Sequence, residues 1–88
     1  MSKIEMYSTA SCPYCVAAKN LLKSKGLTWS ETRVDTDLAE RKAMLARSGG
    51  MRTVPQIFIN DQLVGGYDEL VAADRSGRLA QLLAEPVA

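Results

Sequence analysis

The fold is decided at a junction between a short strand and a helix, which reads Thr9-Ala10-Ser11-Cys12-Pro13-Tyr14-Cys15. Before it, residues 3–7 alternate polar and apolar, as a strand with one buried face does. After it, Pro13 favours the start of a helix, because the first helical N–H would lack an acceptor in any case. Apolar residues then recur at helical spacing up to Gly26, which predicts a helix over residues 13–25. Its inward stripe would consist of Tyr14, Ala17, Ala18, Leu21 and Leu22, with Lys19, Asn20 and Lys23 opposite.

The next two elements are predicted by alternation and by a capping pattern. Residues 27–34 alternate again, which predicts a second strand, and a strand reached through a helical crossover runs parallel to the first. Asp37, with Glu40 three residues later, is typical of the start of a capped helix, and Gly49-Gly50 breaks that helix. The predicted helix contains Leu38, Ala39, Ala43, Leu45 and Ala46.

The last part of the chain predicts a hairpin and two short helices. Pro55 begins the apolar run of residues 56–59, Asn60-Asp61 is a turn, and residues 62–66 return as the partner strand. Helical stretches follow over residues 68–74 and 79–83, interrupted at Ser76-Gly77 and ended by Pro86. The order β-α-β-α-β-β-α, with the last helix in two pieces, predicts an α/β fold in which helices pack on a small mixed sheet.

Composition restricts the possible functions. The chain has 88 residues, 47% hydrophobic and 24% charged, so we expect a single globular domain over residues 1–88. A net charge of +1 gives no basic field that would attract nucleic acid or an anionic membrane. The chain has no His, which excludes Ser-His and Cys-His nucleophile pairs. Two Cys cannot complete a four-ligand zinc site within one chain, and no bound metal is expected.

No segment of the sequence predicts export or membrane insertion. Residues 1–7 lack the apolar core of a signal peptide, and no apolar run reaches the roughly 18 residues that span a bilayer. We therefore expect a cytoplasmic protein without a membrane partner. In that reducing compartment, two nearby cysteines are more often catalytic or metal-binding than structural.

Cys12 and Cys15 stand where the first strand is followed by the first helix. With Pro13 as the first helical residue, Cys12 is the N-cap, beside free backbone N–H groups and the positive end of the helix dipole, and both favour a thiolate. Cys15 lies about one turn further along, without those exposed donors. This asymmetry predicts that Cys12 attacks a disulfide and that Cys15 resolves the resulting mixed disulfide. Half of a zinc or iron–sulfur site shared with a second chain, or two incidental buried cysteines, are the alternatives.

Three motifs resemble those of the glutaredoxin family, in the family's order and spacing. They are Cys12-Pro13-Tyr14-Cys15, Arg52-Thr53-Val54-Pro55-Gln56-Ile57-Phe58-Ile59 and Gly65-Gly66-Tyr67-Asp68-Glu69-Leu70. The resemblance covers nearly the whole chain and is greatest to small bacterial dithiol glutaredoxins of the glutaredoxin 3 type. It implies a thioredoxin fold with a four-stranded mixed sheet. It also implies a monomer that uses glutathione to reduce disulfides of client proteins and glutathione mixed disulfides.

The resemblance further implies which residues bind glutathione. The family proline that matches Pro55 is cis, and the backbone at Val54 pairs with glutathione in the manner of an added strand. Gly66 permits a tight turn into a helix whose first N–H groups hold a carboxylate, with Asp68 facing the ammonium group. Arg52 would pair with the glycine carboxylate of glutathione. The other implied glutathione-binding residues are Tyr14, Thr53 and Tyr67.

Several of these positions also have a purely structural interpretation. Asp68 could merely complement the helix dipole, Arg52 could be a solvated surface residue, and Tyr14 could belong to the buried stripe of the first helix. Thr53 and Val54 could simply begin a strand, which is compatible with a role in binding.

One position departs from the family pattern. Many dithiol glutaredoxins have Lys three residues before the first Cys, whereas this chain has Thr9. The missing cation predicts a less stabilised Cys12 thiolate and weaker glutathione binding, unless Arg52 or Lys19 compensates. Two rival functions stay open: a redoxin that takes electrons from thioredoxin reductase, and a homodimer that holds a [2Fe–2S] cluster through Cys12 and two glutathiones.

Overall fold

Eight strands and helices follow one another in the predicted order. The computed structural model describes residues 3–84, and the predicted helix end at Pro86 lies outside them. The elements are β1 (Ile4–Ser8), α1 (Pro13–Ser24), β2 (Ser30–Arg33), α2 (Leu38–Arg47), β3 (Gln56–Ile59), β4 (Gln62–Gly65), α3 (Tyr67–Ser76) and α4 (Arg78–Ala84). The α/β fold class is confirmed, with β2 shorter than the predicted strand. Within residues 3–84, no helix has both the length and the apolarity to cross a bilayer.

The four strands form one mixed sheet in the order β2-β1-β3-β4. β1 runs parallel to β2, as the helical crossover predicts, and antiparallel to β3, while β3 and β4 form the hairpin. Tyr7, near the end of β1, pairs with Thr32 on one side and with Gln56 on the other. Because Gln56 is the first residue of β3, the loop after β1 and the loop before β3 meet at the same end of the sheet.

Each face of the sheet has its own packed core. The larger core, which packs against α1, α3 and α4, consists of Ile4, Met6, Ala18, Leu22, Ile57, Ile59, Val64, Leu70, Ala73, Leu79 and Leu82. The smaller core, under α2, consists of Tyr7, Val34, Met44 and Phe58. Successive side chains of a strand point to opposite faces, which is why Met6 and Tyr7 belong to different cores. Both helix layers therefore hold β1 at the centre of the molecule.

One residue that the sequence pattern places on the inward stripe of α1 is exposed. Tyr14 is 62% exposed, and the buried residues of α1 are Cys15, Ala18 and Leu22. The prediction for Tyr14 was wrong because the buried stripe follows the three- and four-residue spacing that starts one position later. Leu38 is 76% exposed, and the core residue of α2 is Met44, which lies on a different side of the helix.

The hairpin turn is bonded to the beginning and the end of the described chain. Asn60 and Asp61 have φ of 51° and 67°, the left-handed conformation that a two-residue hairpin turn requires. The Asn60 backbone N–H donates to the Lys3 carbonyl at 2.8 Å, and Asn60 Oδ1 accepts the Lys3 backbone N–H at 2.7 Å. Asn60 Nδ2 donates to the Leu82 carbonyl at 3.0 Å. These bonds fix the end of the sheet that lies away from Cys12.

A cation covers the smaller core. Both terminal nitrogens of Arg47 donate to the carboxylate of Glu5 at 3.1 Å, and Nη1 also donates to the Tyr7 hydroxyl at 3.0 Å. The guanidinium carbon of Arg47 lies 4.0 Å from the centroid of the Phe58 ring. These contacts attach the last turn of α2 to β1 and β3.

Candidate active site

Cys12 is the N-cap of α1, as predicted. Its backbone is extended (φ −110°, ψ 105°), and its carbonyl accepts the N–H of Val16 at 3.2 Å. Its Sγ accepts the backbone N–H of Cys15 at 3.1 Å, so the sulfur itself caps the helix. Cys12 is partly exposed, and its sulfur lies at the N-terminal, positive end of the helix dipole.

Cys15 is only 1% exposed and differs sharply from Cys12. Burial is the main reason that the pKa of Cys15 rises from 9.0 to about 12, and a hydrogen bond with Cys12 and repulsion from it add to the rise. A hydrogen bond with the Thr9 backbone and the positive charge of Lys19 oppose it. The two thiols thus differ in position as predicted, since Cys12 caps the helix and Cys15 is buried within its first turn. Within residues 3–84, no cluster of three His, Cys, Asp or Glu side chains is arranged to hold a metal ion.

The loop that carries Cys12 is fastened by an ion pair. Asp35 Oδ2 accepts the backbone N–H of Ala10 at 3.1 Å, and Arg33 donates to the same carboxylate from Nε at 3.0 Å and from Nη2 at 2.8 Å. The hydrogen bond from Arg33, together with that from Ala10, lowers the pKa of Asp35 to about 2. Sequence reasoning missed this contact, since only the pairing of β1 with β2 brings Asp35 to the loop.

The loop before β3 faces Cys12. The Val54–Pro55 peptide is cis, in agreement with the family resemblance. The Cys12 thiol donates to the Val54 carbonyl with a distance of 3.6 Å between sulfur and oxygen. Gln56, 1% exposed, donates from Nε2 to the carbonyl and hydroxyl oxygens of Thr53 at 2.9 and 3.2 Å. The buried Gln56 side chain therefore shapes the loop that the thiol faces.

A groove with a volume of about 160 Å³ lies between this loop and α3. Its walls are formed by Tyr14, Thr53, Val54, Pro55, Gly66, Tyr67, Asp68 and Glu69. The rings of Tyr14 and Tyr67 lie with their centroids 6.2 Å apart at an interplanar angle of 34°. The structure thus brings together seven of the eight residues that the resemblance assigns to glutathione, and the eighth, Arg52, is not among the lining residues.

The N-terminus of α3 opens into the groove. Gly66 is the N-cap residue, and its N–H donates to Glu69 Oε1 at 2.9 Å. Gly65 has φ of +119°, and a Cβ at that position would lie 2.9 Å from the Glu69 side chain. Glu69 is a lining residue that sequence reasoning missed. The signal was present, because a Glu three residues after an N-cap commonly accepts the N–H of that cap.

Arg52 and Thr9 occupy the flanks of the site. Arg52 is exposed, and within the described chain no hydrogen bond or ion pair holds its side chain. Thr9 is partly buried in the loop before Cys12. The sequence predicts Lys19 on the side of α1 opposite the inward stripe, but in the structure its side chain is half-buried in an ion pair. Its Nζ lies 2.7 Å from Glu31 Oε2, and both side chains are 28% exposed.

Comparison with known proteins identifies the family of the chain. The sequence model described as Glutaredoxin matches residues 4–64. The chain is 48% identical to glutaredoxin 3 of Escherichia coli over 83 residues, which cover 94% of this chain and 99% of the relative. It is 49% identical to a probable glutaredoxin of Synechocystis over 85 residues, which cover 97% of this chain and 78% of the relative.

Solved structures give the same result. A buckwheat glutaredoxin–glutathione complex superposes with a TM-score of 0.83 at 29% identity and covers 93% of this chain and 76% of the buckwheat chain. The solution structure of glutaredoxin from Brucella melitensis superposes with a TM-score of 0.78 at 41% identity, over 92% of this chain and 87% of the other. The four-stranded mixed sheet is therefore a thioredoxin fold. With the Cys12–Cys15 pair at its helix N-terminus, the chain belongs to the glutaredoxin family of thiol–disulfide oxidoreductases.

Proposed function

We propose that the chain uses glutathione to reduce protein disulfides and glutathione mixed disulfides. One observation carries the proposal: the partly exposed Cys12 sulfur caps α1 and lies 3.6 Å from the Val54 carbonyl, beside a groove lined by the first turn of α3. Helix capping favours the thiolate, which is the nucleophile in thiol–disulfide exchange. The groove gives a small disulfide substrate a place to bind next to it.

In the proposed cycle the Cys12 thiolate attacks one sulfur of the substrate disulfide. A bond forms between Cys12 and that sulfur, and the other sulfur leaves as a thiolate that takes up a proton. Cys15 then forms a disulfide with Cys12 and releases the bound half, or a glutathione thiolate resolves the Cys12–glutathione adduct directly. Two molecules of glutathione reduce the Cys12–Cys15 disulfide and are themselves oxidised to glutathione disulfide.

The groove has donors and acceptors that fit a γ-glutamyl tripeptide. We assign the α-carboxylate of glutathione to the first N–H groups of α3 and its ammonium group to Asp68. The Val54 backbone would pair with the cysteinyl unit, as strand addition does. Exposed Arg52 would reach the glycine carboxylate by turning towards the groove. The other proposed groove contacts are Tyr14, Thr53, Pro55, Gly66 and Tyr67, and the glutathione complex of the buckwheat glutaredoxin supports this use of the groove.

The first experiment is reduction of the mixed disulfide of hydroxyethanethiol and glutathione, coupled to glutathione reductase and NADPH. We expect activity in the wild type and in Cys15→Ser, because Cys12 and glutathione suffice for that reaction, and none in Cys12→Ser. Reduction of a protein disulfide should require both cysteines. Equal loss of deglutathionylation in the two variants would contradict the roles of the thiols.

A second experiment tests the assignment of Asp68. Asp68→Asn removes the charge that faces the ammonium group, so the KM for glutathione should rise severalfold. The rate at which Cys12 reacts with dithiodipyridine, an uncharged disulfide, should not change. An unchanged KM would refute the assignment, and a slower reaction with dithiodipyridine would show that the substitution disturbs Cys12 itself.

We further propose that the protein acts as a monomer in the cytoplasm, where thiols are kept reduced and glutathione is abundant.

The assay coupled to glutathione reductase also distinguishes glutathione-dependent reduction from the function of a redoxin linked to thioredoxin reductase. Turnover with thioredoxin reductase and NADPH, but none with glutathione, would overturn the glutathione proposal and leave the dithiol chemistry intact.

A further inference from the structure

We propose that Lys19 is a positioning residue for the second half of the dithiol reaction, in which its ammonium group stabilises the thiolate of Cys15. The inference rests on the dithiol cycle proposed above and assigns a role to a residue outside the groove. Cys15 must lose its proton in order to attack Cys12, and it is buried with a raised pKa. A fixed positive charge nearby lowers the free energy of that ionised form.

Helical geometry brings Lys19 to Cys15. The two residues are four positions apart in α1, which places their side chains on the same side of the helix, one turn from each other. An ion pair with β2 fixes the ammonium group. Its Nζ lies 2.7 Å from Glu31 Oε2 of β2, and the same oxygen accepts the hydroxyl of Ser8 at 2.6 Å. Ser8 is fully buried at the end of β1, so this hydrogen bond ties Glu31 and its lysine to the interior.

The groups that act on the Cys15 sulfur come from its own helix and from the loop after β1. Cys12 and Lys19 belong to the helix, and the Thr9 backbone, in the loop, contributes a hydrogen bond. From β2, Glu31 faces the site through its ion pair with Lys19, and from β1 the neighbouring polar group is the neutral Ser8 hydroxyl. Partial burial raises the pKa of Glu31, but hydrogen bonds from Lys19, Ser8 and Trp29 and the positive charge of Lys19 together lower it below its usual range. Lys19 is thus the cation of this set.

The influence of Lys19 is greatest in the mixed disulfide. Once the Cys12 sulfur is bonded to the substrate, it no longer repels a charge on Cys15, whereas the attraction from Lys19 remains. Cys15 then loses its proton to solvent and forms the bond to Cys12, while the bond between Cys12 and the substrate sulfur breaks. The substrate leaves as a thiolate and takes up a proton. Two thiols of the chain are oxidised and one substrate disulfide is reduced.

The two halves of the reaction can be timed separately with dithiodipyridine, which carries no charge that Lys19 could attract. In stopped flow, the reduced chain releases one thiopyridone when Cys12 attacks and a second when Cys15 resolves the adduct. The reaction needs no glutathione. The role of Lys19 can therefore be refuted while the glutathione dependence holds, and the glutathione dependence can be refuted while the role of Lys19 holds. Release of only one thiopyridone by the wild type would instead contradict the dithiol cycle and the inference together.

We expect Lys19→Met to slow the second phase about threefold near neutral pH. For each unit by which loss of Lys19 would raise the pKa of Cys15, its thiolate fraction falls about tenfold, and the greater nucleophilicity of the more basic thiolate restores roughly a factor of three. The pH profile of the second phase should move to higher pH, while the first phase should not change. Lys19→Arg should retain the wild-type rate and profile.

Two variants keep the test decisive. Lys23→Met removes an exposed lysine one turn further along the same helix and should leave both phases unchanged. Glu31→Gln keeps a hydrogen-bond acceptor for Lys19 but removes the neutralising charge, so the second phase should be at least as fast as in the wild type. A slower second phase in Glu31→Gln, or an unmoved pH profile in Lys19→Met, would overturn the inference. If one of the two variants folds poorly, the other still tests it.

Discussion

Alkylation of the reduced chain should label one cysteine and spare the other. We expect iodoacetamide to modify Cys12 rapidly at about pH 8 and to modify Cys15 about fifty times more slowly than an ordinary unfolded cysteine. The physical reason is that Cys15 is buried and keeps its proton, whereas Cys12 is partly exposed at a helix N-terminus.

The expected factor follows from the raised acidity constant. A pKa of about 12 in place of 9.0 reduces the thiolate fraction of Cys15 about a thousandfold at any pH well below 9. A more basic thiolate is a better nucleophile, and over this range the gain is roughly twentyfold. The net deficit is about fiftyfold. Burial of the sulfur then slows the reagent further, so the figure is a lower limit.

Mass spectrometry of samples quenched over time gives the rates of single and double labelling. The matched control is the same chain in denaturant, where both cysteines should react as ordinary thiols. In Cys12→Ser the hydrogen bond and the repulsion from Cys12 are lost, but burial stays, so Cys15 should still react slowly. Native labelling of Cys15 within a few fold of the rate in denaturant would refute this account of the site.

Three further predictions concern stability. Arg47→Met, which removes the cation over the smaller core, should lower the free energy of unfolding in urea by about 2 kcal/mol, while Lys42→Met on the exposed side of the same helix should change it little. Asp37→Ala removes the acceptor for two N–H groups of α2 and should cost about 1 kcal/mol in the same measurement. The folded chain holds the Cys15 proton more tightly than the unfolded chain. The contribution of the protonated Cys15 thiol to the free energy of unfolding is therefore complete below about pH 9 and is lost as the pH rises towards 12. Over that range the free energy of unfolding should fall by roughly 2–4 kcal/mol more in the wild type than in Cys15→Ser.

The order of the elements could be predicted because each boundary has a local chemical cause. Pro13 begins α1, Asp37 accepts two N–H groups at the start of α2, and Gly77 ends α3 in the left-handed conformation. The Asn60-Asp61 turn likewise fixes the hairpin. Such signals depend on neighbours in sequence, which a reader of the sequence can see.

The buried face of each helix was harder to predict because it depends on where the sheet lies. A helix with apolar residues at several angles, as α1 has at Tyr14 and at Cys15, can pack in more than one rotation. The sheet selects Cys15, and Tyr14 becomes a wall of the groove. In α2 the single buried side chain is Met44. Apolar residues lie at several angles around this helix, so the sequence pattern does not show which side is buried.

The residues of the candidate site likewise include some that the sequence predicts and some that it does not. Cys12 and Cys15 follow from their spacing at a helix start, and the groove residues follow from family motifs. Asp35 could not be found, since its bond to Ala10 joins residues 25 positions apart across a strand pair. Glu69 could have been found from its position three residues after Gly66.

The two edges of the sheet have a consequence for behaviour at high concentration. Unpaired edge strands can act as templates on which other copies of a chain add and aggregate. Here both edges, β2 and β4, are only four residues long, and β2 reads Ser30-Glu31-Thr32-Arg33, with two charged residues and no large apolar one. The apolar strand Gln56–Ile59, which would be the best template, lies inside the sheet between β1 and β4. The apolar segment therefore stays covered while both edge strands are paired or when β2 alone is released, whereas loss of β4 would turn it into an edge strand.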